Sequence, residues 1–160
     1  NLSPDPVKIC QAPTRKFHKH TDVFKRVMRE LRVEGVQVEQ VIFERIPHIE
    51  CLKLKRRCHI VFDHMRGWFG ISSLESLSQG KPVVAGLDDW NIRCIKEFTG
   101  ADRLPWQVAK DEQELKTVLT ELAHDGDLRQ RIGKESRAFM EQFWTEEHAV
   151  RILLDVYKKM

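Results

Sequence analysis

The stretch from Gly67 to Ala85 constrains the fold of this chain more than any other part of the sequence. It reads GWFGISSLESLSQGKPVVA, in which Gly67 and Gly70 bracket a turn and a short amphipathic helix with one acid, Glu75, follows. That helix is predicted to stop at Gly80, where a buried strand begins. A loop of small residues opening onto a helix presents free N–H groups and the positive end of the helix dipole. The segment therefore predicts an α/β fold with an anion site, of a kind suited to nucleotide recognition.

Length and composition fit one globular domain. The chain has 160 residues, of which 41% are hydrophobic and 32% charged, enough to bury a full core. A net charge of +3 suits an anionic small molecule or a membrane surface, and is far from the basic stripe of a nucleic-acid binder, so no nucleic-acid partner is expected. The four cysteines lack metal or disulfide spacing, so we expect free thiols, no metal site and a cytoplasmic location. No apolar run is long enough to cross a bilayer.

Strands and helices alternate along the chain. Residues 1–6 form a polar, proline-bearing linker, and residues 7–160 form a single domain. The predicted strands are Val7 to Ala12, Val36 to Phe43, His59 to Phe62, Lys81 to Ala85 and a short or irregular edge strand within Arg103 to Val108. The first predicted helix starts at an N-cap on Thr21 or Asp22, the second covers Pro47 to Arg57, and a short one lies within Asp88 to Phe98. Three more helices are predicted toward the C-terminus: Glu112 to His124 after an Asp111 cap, Leu128 to Phe143, and a last helix after a Thr145 cap. This alternation predicts a parallel sheet covered on both faces, with the strand-to-helix loops at its carboxyl edge.

Two of those loops carry chemistry. The first, Pro13 to His20, holds five basic or potentially basic residues, which indicate either a pyrophosphate clamp or a solvated basic loop. The second, Asp63 to Gly70, leads into the helix that carries Glu75. Its glycines are explained either by close approach of a ligand or by tight-turn geometry alone, and Glu75 is either a ligand-binding acid or an exposed one. Ligands of open α/β folds bind at this edge of the sheet.

Several motifs resemble the donor-binding half of group-one (family four) glycosyltransferases. The central one, Phe69 to Val84, is similar to the family pattern of Glu, Gly, Phe, Gly, four residues, a second Glu, a short helix and Gly-x-Pro-Val-Val. Ala12 to Lys16, with Lys19 and Thr21, resembles the "APSNR..KGT" loop of the family, and Ile60 to His64 resembles its "-D-Q" strand end. Leu128 to Gly133, with Ser136 and Arg137, resembles its "LRRRLG..GR" helix. The resemblance covers nearly the whole chain, and implies the Rossmann-like three-layer sandwich of the C-terminal half of a GT-B fold.

The resemblance implies a role for each matching residue. Arg15, Lys16 and Lys19 would hold the donor pyrophosphate together with the N–H groups of Gly70 and Ile71. By position, Glu75 matches the second acid of the pattern, which binds the ribose hydroxyls. The remaining expected lining of the donor site is Asp63, His64, Gly67 and Trp68.

Two positions depart from the family pattern. Gly67 stands where the first acid of the pair is usual, so the group that contacts the donor sugar or its phosphate is missing. A branch of the family with "GWYG" has the same substitution. His20 stands where a glycine usually follows the loop lysine, which restricts the backbone beside Lys19.

The activity that the resemblance implies is metal-independent glycosyl transfer from a UDP- or GDP-linked sugar, a substrate rather than a cofactor. Family members are typically retaining hexosyltransferases of polysaccharide or glycoconjugate biosynthesis. Their catalytic histidine and acceptor site belong to an N-terminal domain, so we expect this chain to pair with such a domain and to be inactive alone. The alternative is a non-catalytic Rossmann-like module that holds a phosphorylated ligand or a partner domain.

A basic run from Lys53 to Arg57 lies on the second predicted helix. One interpretation is a peripheral contact with anionic lipid at the inner membrane face, where sugar transferases often work. The other interpretation is a solvated helix face.

Overall fold

A computed structural model describes residues 5–15 and 17–159 of the protein, and these residues form an α/β sandwich around one parallel sheet. The strands are β1 (Val7–Gln11), β2 (Val38–Ile42), β3 (Ile60–Phe62), β4 (Val83–Ala85) and β5 (Gln107–Val108), in the spatial order β2-β1-β3-β4-β5. The helices are α1 (Thr21–Val33), α2 (His48–Arg56), α3 (Ile71–Ser78), α4 (Asp89–Thr99), α5 (Glu112–His124), α6 (Gly126–Phe143) and α7 (Glu146–Tyr157). The predicted doubly covered parallel sheet is confirmed.

The central strands are buried because helices cover both of their faces. All residues of β3 and β4 are buried, as expected for apolar strands inside a parallel sheet. One core lies between the sheet and the apolar faces of α1 and α5, formed by residues such as Phe24, Met28, Leu31, Leu115 and Leu119. The other core lies between the sheet and helices α2, α3, α4 and the end of α6, and includes Leu54, Leu77, Ile95, Phe139 and Met140.

The strand order creates a crevice beside β1. The chain leaves β1 toward β2 on one side, and β3 then pairs with β1 on the other side. Loops that follow β1 and β3 therefore diverge at a topological switch point, the usual ligand position in open parallel sheets. These are the two loops that the sequence indicated.

Capping hydrogen bonds confirm the predicted N-caps of α5 and α7, and α6 begins two residues before its predicted start at Leu128. The side chains of Asp111, Asp125 and Thr145 accept hydrogen bonds from backbone N–H groups of the first turns of α5, α6 and α7. The predicted N-cap of α1 at Thr21 or Asp22 is wrong. His20 precedes the helix in a left-handed conformation with φ 53° and makes no side-chain cap, so Thr21 already has helical backbone geometry.

Other boundaries shift by a few residues. β5 is only two residues long, and Pro105 lies just before it, where its missing N–H cannot extend the sheet ladder. Within residues 5–15 and 17–159, none of the helices combines the length and apolar character that a bilayer crossing requires. The outer face of α7 exposes apolar side chains, among them Val150, Leu153 and Leu154.

Two glycines allow α6 to pack closely against the end of α3. A Cβ added to Gly133 of α6 would lie 2.4 Å from the carbonyl oxygen of Gly80, which follows α3. The Arg137 guanidinium, one turn further along α6, donates to the carbonyl of Ser78 in the last turn of α3. This contact holds the C-terminal end of α3, whose N-terminal end faces the crevice.

Replacing Gly133 by alanine should destabilise the fold. The new methyl group overlaps a backbone oxygen that cannot move freely, so we expect a loss of about 1–3 kcal/mol in the free energy of unfolding. Gly126→Ala is the matched control in the same helix, since the nearest atom to its added Cβ is a side-chain nitrogen at 3.5 Å. Alanine is the better helix former, so this control should be neutral or slightly stabilising. Urea denaturation measures both, and equal effects would contradict the close contact.

Candidate functional site

Asp63 is the centre of a hydrogen-bond network at the carboxyl edge of the sheet. It directly follows β3, its side chain is 1% exposed, and its Oδ1 accepts a hydrogen bond from the Lys19 ammonium. Its Oδ2 accepts from the Gly70 N–H at 2.6 Å and from the Ser73 hydroxyl at 2.7 Å. Burial opposes ionisation of this carboxyl, but the Lys19 charge and these hydrogen bonds outweigh it, so the pKa of Asp63 lies below its ordinary value. Asp63 therefore ties the N-terminus of α3 to the loop after β1.

Two further contacts hold the loop between β1 and α1 in place. The buried Gln11 amide donates to the carbonyl oxygens of Lys19 at 2.6 Å and Asp63 at 3.2 Å. The Met65 N–H donates to Nδ1 of His20 at 3.3 Å. A left-handed conformation costs a non-glycine residue about 1 kcal/mol, and this hydrogen bond helps to retain it. The backbone at His20 is thus left-handed, the conformation that the glycine usual at this position would adopt without strain.

Two cavities open beside the N-terminus of α3, and Thr14 lines both. The first, which we call the cationic cavity, has a volume of about 400 Å³ and is lined by Arg15, His18, Lys19, His64, Arg66 and Trp68 among others. The second, which we call the Glu75 cavity, has a volume of about 750 Å³ and is lined by residues that include Pro13, Phe43, Arg45, His48, Lys55 and Glu75. Together they extend along the crevice at the switch point.

The cationic cavity has an excess of positive charge. Within the described chain, neither Arg15 nor Arg66 pairs with a carboxylate, whereas Lys19 pairs with Asp63. Burial lowers the pKa of His20 and His64 below the ordinary value, and repulsion from Arg66 acts in the same direction. Among the described residues, the two arginines are therefore the lasting source of positive potential at neutral pH, and an anion is the ligand that this cavity favours.

The start of α3 offers two free amide groups. The N–H of Gly70 is occupied by Asp63, whereas those of Ile71 and Ser72 have no acceptor among the described residues. Of the two predicted amide donors, Ile71 is thus available and Gly70 serves the internal network. Gly70 is also needed for close approach, because a Cβ there would lie 2.9 Å from the Lys19 ammonium nitrogen.

Glu75 is fixed by two side chains in the second cavity. Its Oε2 accepts a hydrogen bond from the Lys55 ammonium at 2.8 Å, and its Oε1 lies 2.6 Å from Nε2 of His48. Lys55 is 1% exposed and also donates to the Ser72 hydroxyl at 2.8 Å. Burial opposes ionisation of Glu75, but these hydrogen bonds outweigh it and its pKa lies below the ordinary value. A carboxylate has about four lone-pair positions, so Glu75 retains acceptor capacity toward the cavity.

The structure brings most of the predicted residues to this crevice. Arg15, Lys19, His64 and Trp68 line the cationic cavity, and Ile71 and Glu75 line the other. With its side chain 20% exposed and paired, Glu75 is not a freely solvated helix acid. Asp63 is buried and connects the two loops through its hydrogen bonds. Lys16 falls outside the described residues.

Gly67 is required by the backbone at its position. It has φ 88° and forms a parallel bridge with Leu87, and a Cβ there would lie 2.7 Å from Oδ2 of Asp88. The Asp88 carboxylate, which caps α4 through the Asn91 N–H, thus occupies the space where a glutamate side chain would begin. Gly67 borders neither of the two cavities in the described chain.

Sequence reasoning missed three residues of the site. Lys55 belongs to a basic run interpreted as a solvated or lipid-facing surface, and for this residue both interpretations are wrong because it is buried against Glu75. The signal was its spacing, since Cys51, Leu54 and Lys55 recur as i, i+3 and i+4 on the inner face of α2. Arg66 was overlooked although it is the only Lys or Arg between Asp63 and Gly70. No sequence signal pointed to His48.

Lys53, Arg56 and Arg57 are exposed, so the contact of this run with anionic lipid stays a prediction. Within the described ranges, no three His, Cys, Asp or Glu side chains are grouped in a way that could hold a metal ion.

Comparison with known proteins by sequence finds no matching family model and no matching curated protein. Comparison by structure does find matches. The C-terminal domain of a group 1 family glycosyl transferase (LpcC) from Francisella tularensis superposes with a TM-score of 0.62 at 17% identity, over 89% of each chain. The present chain has the fold of a GT-B C-terminal domain. The predicted Rossmann-like fold is thereby confirmed.

The pneumococcal O-GlcNAc transferase GtfA, solved in complex with UDP and GlcNAc, shares this GT-B C-terminal fold. It matches with a TM-score of 0.63 at 12% identity, over 96% of the present chain and 36% of GtfA. A structure of the GtfA/B complex matches to the same extent. The present chain thus spans about a third of GtfA, and at these identities the likeness establishes the fold.

Breaking the Asp63–Lys19 pair should be costly. Asp63→Asn places an amide where Gly70, Ser73 and Lys19 all donate, and leaves the lysine charge without a partner, so we expect a loss of about 3 kcal/mol in the free energy of unfolding. The double variant Asp63→Asn/Lys19→Met should recover part of that loss. Urea denaturation gives the coupling between the two sites.

The matched control is the exposed pair of Asp89 and Lys110, joined at 2.9 Å. Asp89→Asn removes an ion pair of the same type from the surface, where water screens it, and should change stability little. The central role of Asp63 is contradicted if Asp63→Asn costs no more than Asp89→Asn.

Proposed function

We propose that this chain is the nucleotide-sugar donor-binding domain of a glycosyltransferase. The observation that carries the proposal is the adjacency of two cavities beside the start of α3. One is cationic and has no Asp or Glu among its described lining residues, and the other holds the fixed carboxylate of Glu75. A nucleoside diphosphate has the matching order of groups, with a charged diphosphate next to a ribose diol. The GT-B C-terminal fold supports the same interpretation.

In this proposal, the diphosphate occupies the cationic cavity and reaches its border with the Glu75 cavity. Arg15 provides a planar guanidinium for phosphate oxygens in the cationic cavity. The free N–H groups of Ile71 and Ser72, which line the adjoining Glu75 cavity, provide neutral donors backed by the helix dipole. The predicted phosphate ligand Lys16 belongs to the same loop. Lys19 contributes through the position that it gives to this loop, because its charge already serves Asp63.

The ribose would bind at Glu75. The carboxylate is ionised and immobilised by Lys55, and its remaining lone pairs can accept hydrogen bonds from two vicinal hydroxyls. His48 is largely exposed, so it can turn away or share the carboxylate when a ribose arrives. The Glu75 cavity continues past Phe43 and Ile46, which offer apolar walls for the base.

The chemical contribution of this domain would be stabilisation of the leaving group. Transfer of the sugar breaks the bond between its anomeric carbon and the diphosphate oxygen, and negative charge grows on the departing diphosphate. Arginine side chains and helix N–H groups that are already in place would lower the barrier, because they need no reorganisation as that charge develops. Hexosyl transfer, retention of configuration, and a role in polysaccharide or glycoconjugate synthesis are further predictions of the family resemblance.

The acceptor site and the catalytic base would come from a second, N-terminal domain. The present chain spans 36% of GtfA, and in such a protein the N-terminal domain would cover the open side of the crevice. We therefore expect negligible sugar transfer by this chain alone. A partner protein is also part of the proposal, since GtfA is itself found in a GtfA/B complex.

One observation favours the non-catalytic alternative. Position 67 has no acid, and a side chain there would need a left-handed backbone and would meet the Asp88 carboxylate, so the sugar-side contact usual in the family is missing. A module that only binds a phosphorylated ligand would need Arg15 and Glu75 but no sugar-side acid. Sugar transfer by the chain joined to its natural N-terminal portion would exclude this alternative.

Calorimetric titration with UDP, GDP and ADP tests nucleotide binding. We expect at least one of them to bind with a Kd of millimolar or below. The 2′-deoxy form of the same nucleotide should bind about tenfold more weakly, because one hydrogen bond to a charged group is lost. Absence of binding by all three at millimolar concentration would contradict the proposal.

Variants locate the ribose contact. Glu75→Gln should lower the affinity and reduce the preference for ribose over deoxyribose, whereas Glu121→Gln on the exposed side of α5 should change neither. Glu75→Gln leaves the buried Lys55 without its acid and can destabilise the fold. In that case the double variant Glu75→Gln/Lys55→Met replaces it in the same binding measurement. A ribose preference that survives in a folded Glu75 variant would show that the ribose binds elsewhere.

A further inference from the structure

We infer that Arg66 is a direct ligand of the anion in the cationic cavity, acting as a second guanidinium across from Arg15. The inference rests on the proposed function for the identity of the anion, a diphosphate, but its evidence is the charge and geometry of the cavity itself. Neither the sequence motifs nor the comparisons assign a role to this residue.

The distribution of ion pairs singles out Arg66. Among the described residues, three Lys or Arg side chains line the cavity, and the Asp63 carboxylate already pairs with one of them, Lys19. Arg15 and Arg66 have no carboxylate partner in the part of the chain that the structure describes. No Asp or Glu is among the described residues that line the cavity. Two unpaired guanidinium groups in one concave site create a positive potential that only an anionic ligand would balance.

Arg66 is also held in position before any ligand arrives. Its guanidinium carbon lies 5.5 Å from the centroid of the Phe17 ring, a cation–π contact. Its Nε is buried and has no hydrogen-bond partner among the described residues. Buried N–H groups are rarely left without an acceptor, and because Arg66 lines the cavity, an anion bound there could supply one.

The two arginines come from different loops that the fold keeps together. Arg15 belongs to the loop after β1 and Arg66 to the loop after β3, and these strands are neighbours at the switch point. The Asp63–Lys19 pair and the hydrogen bond from Met65 to His20 join the same two loops. An anion between them would receive one planar fork from each loop, an arrangement that suits two adjacent phosphate groups better than one.

Inorganic pyrophosphate is the probe that separates this inference from the proposed function, because it carries the two phosphates without a nucleoside. Isothermal titration of the full chain should show pyrophosphate binding more tightly than inorganic phosphate. Arg66→Gln should weaken pyrophosphate binding about tenfold, the loss expected for one charge-assisted hydrogen-bonding group. Arg66→Lys should lose less, since it retains the charge but not the planar fork.

Arg32→Gln is the matched control. Arg32 is an exposed arginine at the far end of α1, so its replacement changes the net charge equally but lies away from the carboxyl edge. It should leave pyrophosphate affinity unchanged. Denaturation midpoints of all three variants report whether each is folded.

The outcomes distinguish the two proposals. If a folded Arg66→Gln variant binds pyrophosphate as the unchanged chain does, or no more weakly than Arg32→Gln, the inference is overturned while nucleotide binding stands on its own test. If pyrophosphate binds in an Arg66-dependent manner but no nucleoside diphosphate does, the inference holds and the proposed function fails. Absence of pyrophosphate binding by the unchanged chain also overturns the inference.

Discussion

The carboxylate of Asp63 holds together the elements on which this site depends. It is buried at the end of β3, where it joins the Lys19 ammonium of one loop to the Gly70 N–H just before α3 and to the Ser73 hydroxyl within α3. A carboxylate at a helix N-terminus is favoured by the helix dipole, and a lysine at its other oxygen offsets the cost of burial. The hydrogen bonds of Gln11 and His20 and the contact between Arg66 and Phe17 also join the two loops, but none of these involves an ion pair.

A second acid–lysine pair holds α3 from its other side. Glu75 and the buried Lys55 connect α3 to α2, as Asp63 and Lys19 connect it to the loop after β1. The close contact at Gly133 supports the opposite end of the helix. In both pairs the lysine positions an element and its charge is already balanced, so among the described residues the cations left for a ligand in the cationic cavity are arginines. Positioning and binding are thus assigned to different residues in the same crevice.

The sequence predicted the layout of the fold because the alternation of buried strands and amphipathic helices is a local signal. It also placed Arg15, Ile71 and Glu75 at one edge, since parallel topology brings strand-to-helix loops together. It did not predict how charged side chains pair, because pairing is decided by contacts between elements distant in sequence. Lys55 has the sequence context of a surface lysine, but the packing of α2 against α3 pairs it with Glu75. The Lys19 ammonium, predicted as a ligand of phosphate, pairs with Asp63 instead. The α1 cap failed for a similar reason, since His20 is held in its unusual conformation by Met65 of another loop.

The most direct test of this account is a crystal structure of the chain with the nucleoside diphosphate that binds it best. The account predicts the diphosphate between Arg15 and Arg66, against the free N–H groups of Ile71 and Ser72, with the ribose hydroxyls within hydrogen-bond distance of Glu75. It also predicts that the Asp63–Lys19 pair remains intact in the complex. A nucleotide bound away from the carboxyl edge of the sheet, or a diphosphate that displaces Asp63 from Lys19, would contradict it.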